Sequence, residues 1–330
     1  MRYIQIAGIM KSGTSLTSAL FDHHPDIVNV PGQSSNTGAD FLALSNPDVS
    51  LENKIPILES KIKQIVKPKE EALARFNTLV SELHNDFAAL HYCLLQVHCE
   101  TMCPEKWGRA RVWLDKSPFS HVYADEIFNI YSSAKFIHVI RDPRDNFSSA
   151  AARLFRNKES FIEMQGLLWR YFIWHRNSLT WAMRNQRKYG ESRYHILRYE
   201  DLVTEPTSTM ACLADFAGIE MCDILCDPTR NGKPYAGNNK EGVLFSGVDP
   251  FNVGRWRERI PKFYAMVMEN QPAEHLQHFG YRQEFSAVPR TTAGAINRAL
   301  VIMMPDSMRR RHSRTANRIY DQRLFDPVAV

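Results

Sequence analysis

The chain has 330 residues, 44% of them hydrophobic and 23% charged, which suits one large globular α/β domain with an elaboration. It holds no uncharged apolar run of about 18 residues, so no membrane span is expected. The net charge of +5 points to an anionic ligand without calling for nucleic acid.

Residues 3–9 are an apolar, β-branched run that reads as a buried strand, leaving no room before it for a signal peptide. The segment Gly8 to Ser12 breaks the run, and 14–23 has helical spacing, with Leu16 and Leu20 one turn apart. A strand, a tight polar loop and a helix start aim backbone N–H groups and a positive dipole end at one point. Lys11 adds a full charge there, and Ser12, Thr14 and Ser15 add hydroxyls, so the stretch reads as a phosphate or sulfate site. In a nucleoside-triphosphate loop the lysine follows the second glycine. Here it comes first, in Lys11-Ser12-Gly13-Thr14-Ser15.

A short strand is expected at 27–30, followed by a polar loop, 31–46, leaving the carboxyl end of that strand. Such loops line the ligand crevice of an open α/β sheet, which makes this one the candidate acceptor site, with a solvated connection as the alternative. Residues 51–103 read as two helices. The first spaces Ile55, Leu58, Ile62 and Ile65 along one face and ends at Lys67-Pro68. The second, 70–103, would be about 50 Å long and is therefore expected to kink. Its near-heptad seam suggests a helical hairpin covering the site, with a homodimer contact as the second reading. His98 and Glu100 near its end could face the site. The six cysteines (Cys93, Cys99, Cys103, Cys212, Cys222, Cys226) read as reduced core residues of a cytoplasmic protein; their spacing is not C-x-x-C, and no metal is expected.

A strand at 110–114 runs into Asp115-Lys116-Ser117-Pro118, where Lys116 is well placed for an anion. A helix then runs from Pro118 and Phe119 through Tyr131. The strand 135–140 is followed by Arg141-Asp142-Pro143-Arg144-Asp145 and a helix start bearing Ser149. Arg141 and Ser149 can converge on one phosphate, while Arg144 and Asp145 are expected to pair with each other or cap the helix. A long aromatic helix, 161–187, reads as core packing. A strand at 195–199 runs into Tyr199-Glu200-Asp201-Leu202, and 207–217 is a short amphipathic helix. Beyond 285 come an apolar stretch, 299–304, and Arg309, Arg310, Arg311, Arg314, Arg318 and Arg323. That end reads as a solvated basic helix, with weak membrane-surface or acidic-substrate contact as the functional reading.

Four motifs fall in the order found in sulfotransferases that use 3′-phosphoadenosine 5′-phosphosulfate (PAPS): 11–15, Lys116-Ser117-Pro118, 141–149 and 199–202. Over roughly 1–280 the chain resembles the bacterial and Golgi-type branch of that family. The resemblance implies a P-loop-like central parallel sheet flanked by helices. It places the sulfotransferase domain at 1–285 with a helical insertion at about 51–103, and leaves 286–330 as a basic helical extension. It implies in-line transfer of a sulfuryl group from PAPS to a hydroxyl or amine of a small-molecule, carbohydrate or other acceptor, without a metal. Lys11, Ser12, Gly13, Thr14 and Ser15 would hold the 5′-phosphosulfate, Arg141 and Ser149 the 3′-phosphate, and Tyr199 would lie near the adenine. Asn252, Gly254 and Arg255 map onto a late segment that folds over the nucleotide. Lys11 would sit on the bridging oxygen and Lys116 on the sulfuryl oxygens. One departure concerns the base: related enzymes often carry a glutamate where this chain has Gln33, so Asp40 and His98 lead the candidates, with Asp115 and His23 behind. A P-loop kinase using Asp142 for metal, or a catalytically silent nucleotide-binding scaffold, are the alternatives.

Overall fold

The computed structural model of the chain describes residues 1–30, 38–156, 161–235, 237, 247–270 and 273–285. The basic extension at 286–330, with its expected membrane-surface contact, lies outside the described residues, as does 31–37. Five parallel strands form the central sheet in the order β2-β3-β1-β4-β5: β1 (Arg2–Gly8), β2 (Ile27–Val30), β3 (Val112–Lys116), β4 (Lys135–Ile140) and β5 (Tyr194–Arg198). β1 is central and all but its first residue is buried, because helices cover both faces of the sheet. Its side chains alternate between two cores. Tyr3 and Ala7 face one cluster with Trp113, Phe136 and Trp174, while Ile4 and Ile6 face the other with Leu20, Leu114 and Leu213.

The helices follow in chain order: α1 (Thr14–Phe21), α2 (Gly38–Ser45), α3 (Leu51–Ile65), α4 (Lys69–Val80), α5 (Phe87–Met102), α6 (Ala124–Ile130), α7 (Pro143–Arg156), α8 (Phe161–Tyr189), α9 (Tyr199–Thr204), α10 (Pro206–Ala217), α11 (Trp256–Arg259), α12 (Lys262–Glu269) and α13 (Ala273–His278). A two-stranded hairpin, β6 (Thr229–Arg230) and β7 (Lys233–Pro234), lies between α10 and α11.

Several boundaries differ from expectation. The presumed acceptor loop contains α2, whose Phe41 and Leu44 are fully buried and whose Phe41 ring packs on Phe87 and Tyr123. The expected long helix is two, α4 and α5. They separate because Asp86 caps a new helix start, its carboxylate accepting the Ala89 N–H at 2.9 Å. The seam residues Ala72, Phe76, Leu90, Leu94 and Val97 are buried in the chain's own core, so the seam is used internally. Strand β3 starts two residues late and takes in Asp115 and Lys116. A 3-10 turn, Ser120–Tyr123, precedes α6 in place of one continuous helix. Only Cys93 and Cys99 are buried among the free cysteines; Cys212 is exposed, because its side of α10 faces solvent.

Candidate active site

The loops after β1, β4 and β5 leave the carboxyl ends of three adjacent strands, where an open α/β sheet forms its crevice. Lys11 has a left-handed backbone, φ 68°, and its carbonyl accepts from Arg141 Nη1 at 3.1 Å. The Met10 carbonyl accepts from Asn146 Nδ2 at 3.2 Å, so α7 draws these peptide oxygens toward itself. Helix α1 starts at Thr14 with no side-chain cap, which leaves its first amides directed at the crevice. Gly13, at φ 112°, permits the close approach of Tyr199: a Cβ here would stand 2.6 Å from the ring.

Arg141 is 5% exposed, and it ties the crevice together. Besides Lys11 it reaches the Asn252 carbonyl through Nη2 at 2.9 Å, and its guanidinium lies 4.2 Å from the Tyr199 ring centroid. Its Nε is buried without a partner. The crevice is open to solvent and is lined by Lys11, Gly13, Thr14, Ser15, Arg141, Ser149, Tyr199 and Asn252 from the expected set.

Sequence reasoning missed the wall formed by Tyr235, Gly237, Gly247 and Asp249. A signal existed. Asn231-Gly232 between two short strands is the two-residue hairpin turn, and both residues have positive φ, 50° and 69°. The buried Asp22 at the end of α1 accepts from Thr229 Oγ1 and the Gly232 N–H, each at 3.0 Å, which pins the hairpin and delivers Tyr235 beside Ser15.

The expected pairing of Arg144 with Asp145 does not form. Arg144 binds Asp142 at 2.6 Å and Glu269 at 2.6 Å, and stacks over Trp256 at 4.5 Å. Asp145 instead accepts the backbone N–H groups of Gly254 and Trp256 at 2.6 and 2.9 Å. Asp142 caps α7, accepting the Arg144 N–H at 2.8 Å, while its own N–H donates to Glu200.

Other expected residues stand apart from the crevice lining. Ser12 is fully buried, and its hydroxyl donates back to the Ile9 carbonyl at 2.8 Å. Gly254 and Arg255 do not line it: Gly254 is engaged by Asp145, and the Arg255 guanidinium covers the Phe251 ring at 3.9 Å. Lys116 is half-buried at the end of β3, where burial lowers its pKa and the nearby Arg230 lowers it further, against Asp115. His98 is 1% exposed beneath β2, and burial lowers its pKa to about 4, against the nearby backbone of Asn29 and Ile65. Glu100 faces away, paired with Arg75 at 2.7 Å. Asp115 is fully buried and accepts from the Tyr3 hydroxyl at 3.2 Å, while His23 is exposed. Asp40 belongs to α2; its side chain lies outside the described residues. Among the described residues no helix is long and apolar enough to cross a membrane.

A family model described as the sulfotransferase family matches residues 4–223. No curated protein matches significantly. Among solved structures, the sulfotransferase domain of the olefin synthase from Synechococcus PCC 7002 is similar at 20% identity and a TM-score of 0.53, covering 86% of this chain and 96% of its own. The sulfotransferase domain from the curacin biosynthetic pathway aligns at 16% identity and TM-score 0.48, over 84% of this chain and 97% of its own. Sulfotransferase STF9 from Mycobacterium avium aligns at 16% and 0.44, over 86% and 78%. The first of these supports the architecture; the other two add nothing to it.

Proposed function

The chain belongs to the sulfotransferase family, and from that premise we propose that it uses PAPS as co-substrate and transfers its sulfuryl group, in line, to a hydroxyl or amine acceptor. One observation carries this reading: the Arg141 guanidinium donates to the Lys11 carbonyl, bringing two anion anchors 130 residues apart into one crevice. The residues also fit the nucleotide. The start of α1 is uncapped, Arg141 keeps a buried unpartnered Nε, and Gly13 leaves the close-approach space beside Tyr199.

PAPS supplies the activated sulfuryl group. The α1 amides and Lys11 neutralise the 5′-phosphosulfate, and Lys11 gains most as charge builds on the bridging oxygen. Arg141 and Ser149 hold the 3′-phosphate and Tyr199 borders the adenine, while Lys116, at the end of β3 beside β1 and outside the crevice lining, is assigned to the sulfuryl oxygens at its edge. For the base we retain Asp40, the carboxylate of the segment that follows β2 in the chain, whereas His98 is enclosed by α5 and β2. The kinase alternative is disfavoured, since the Asp142 carboxylate is occupied by three contacts from Arg144.

The test is thermal shift followed by turnover. Adenosine 3′,5′-bisphosphate should raise the melting temperature without magnesium, ATP should do so weakly, and labelled PAPS should pass sulfate to a member of an acceptor panel. Equal stabilisation by ATP, or a magnesium requirement, overturns the assignment. Binding of the bisphosphate without transfer to any acceptor would favour the silent scaffold.

A further inference from the structure

We propose that Asp145 is a positioning residue for the nucleotide half of the site, holding the 252–256 backbone over the crevice so that Arg141 is presented in its binding position. The inference rests on the PAPS reading above.

Asp145 sits in the first turn of α7, where an acidic side chain commonly bonds back to its own helix start. Here Asp142 and Arg144 have taken over that helix end, and Asp145 is turned to a chain segment more than 100 residues away. It is 3% exposed, and its oxygens are separately used: Oδ2 accepts from Gly254 and Oδ1 from Trp256. Four residues earlier, Arg141 donates to the Asn252 carbonyl in the same segment. The segment is thus gripped at two points of opposite polarity, a carbonyl by a cation and two amides by an anion. Such charge-assisted bonds, made away from water, are strong and directional. Arg144 closes the grip from the side, stacked over Trp256 and tied to Glu269.

Because Asn252 and Asp249 line the crevice, a displaced segment would remove part of its wall and release one of the two carbonyls orienting Arg141. The cost should fall on nucleotide capture, as Asp145 does not line the crevice itself.

The decisive variant is Asp145→Asn, which keeps size but sets an amide against two N–H donors that need acceptors. Its KM for PAPS should rise by about 10- to 100-fold, in keeping with the loss of one or two charge-assisted bonds. Turnover at saturating PAPS should fall by less than about threefold, and the acceptor KM should stay within about twofold. A purely structural role would instead lower the melting temperature and the active fraction with KM for PAPS unmoved; that outcome overturns the proposal. Hydrogen exchange in the nucleotide-free protein gives a readout independent of PAPS. The amides of Gly254 and Trp256 should be protected in the wild type and exchange at least tenfold faster in Asp145→Asn. Equal exchange in the two proteins overturns the proposal whatever the ligand. If the wild type fails to bind adenosine 3′,5′-bisphosphate while the exchange difference appears, the PAPS reading fails and the grip on 252–256 stands. If the variant does not fold, fast exchange of these two amides in the wild type overturns it, and slow exchange upholds it.

Discussion

At the scale of single residues, the site depends on a few charged groups whose surroundings set their roles. Arg141 has two of its nitrogens on backbone carbonyls and its face on Tyr199, so it is oriented before any ligand arrives. Arg141→Ala should therefore weaken adenosine 3′,5′-bisphosphate by about 10- to 150-fold, the equivalent of roughly 1.5–3 kcal/mol, as read by calorimetry. Unchanged affinity would remove the 3′-phosphate from this position. Lys11→Ala should act on the chemical step, lowering turnover by about 10²–10³ under single-turnover conditions, because its charge is most useful in the transition state. The base separates by pH. An ordinary histidine would make activity rise through about pH 6–7, but burial holds His98 at about 4, so the profile should be flat there. Asp40→Asn should slow transfer more than tenfold and His98→Gln should not. A rise between pH 6 and 7 would be evidence against the Asp40 assignment.

At the scale of elements, the helical insertion shows how capping decides where a periodic pattern becomes two helices. The spacing from Ala72 to Val97 is compatible with one rod, yet Asp86 offers its carboxylate to the Ala89 N–H and starts α5 afresh. Packing both α4 and α3 on α5 buries more apolar surface than a projecting 50 Å rod could. Asp86→Ala should cost about 1 kcal/mol in urea unfolding, typical of an N-cap, with PAPS kinetics unaffected. No loss of stability would mean that the α4–α5 break is held by packing alone. The β6–β7 hairpin is similar in kind, since a local Asn-Gly turn makes it and the single carboxylate of Asp22 places it against α1.

At the scale of the whole molecule, the core holds several buried neutral histidines, on α5, β4 and α8. His91 and His138 are pushed down to about 3, and His98 and His175 to about 4, in each case chiefly by burial. Each has an unfolded value near 6.5, so below that pH the unfolded chain takes up protons that the folded one does not. Their contribution is complete above about pH 6.5 and is lost as pH falls toward 4, at up to ~1.4 kcal/mol per pH unit for each. Two or three together would consume much of a typical 5–15 kcal/mol within two units. Urea midpoints should therefore drop steeply between pH 6.5 and 5, and a midpoint constant over that range would contradict the neutral burial of these rings.

The sequence by itself determined the strands, most helices, and the two loops bearing Lys11 and Arg141 that meet in the crevice, because each is written in local terms. Buried strands are unbroken apolar runs, helices repeat every 3.6 residues, and a glycine-bearing turn before a helix start has its own composition. Only the tertiary structure decided which neighbours each polar group would find. Arg144 and Asp145 are adjacent in sequence and look like a pair, yet they bind Glu269 and the amides of Gly254 and Trp256, more than 100 residues away. His98 has the spacing to end a helix near the crevice, but the packing of α5 beneath β2 encloses it and removes its charge. Periodicity specifies the face a residue takes on its own element, whereas a carboxylate or imidazole is defined by what the folded chain brings against it. That depends on contacts between distant segments, which no local pattern encodes.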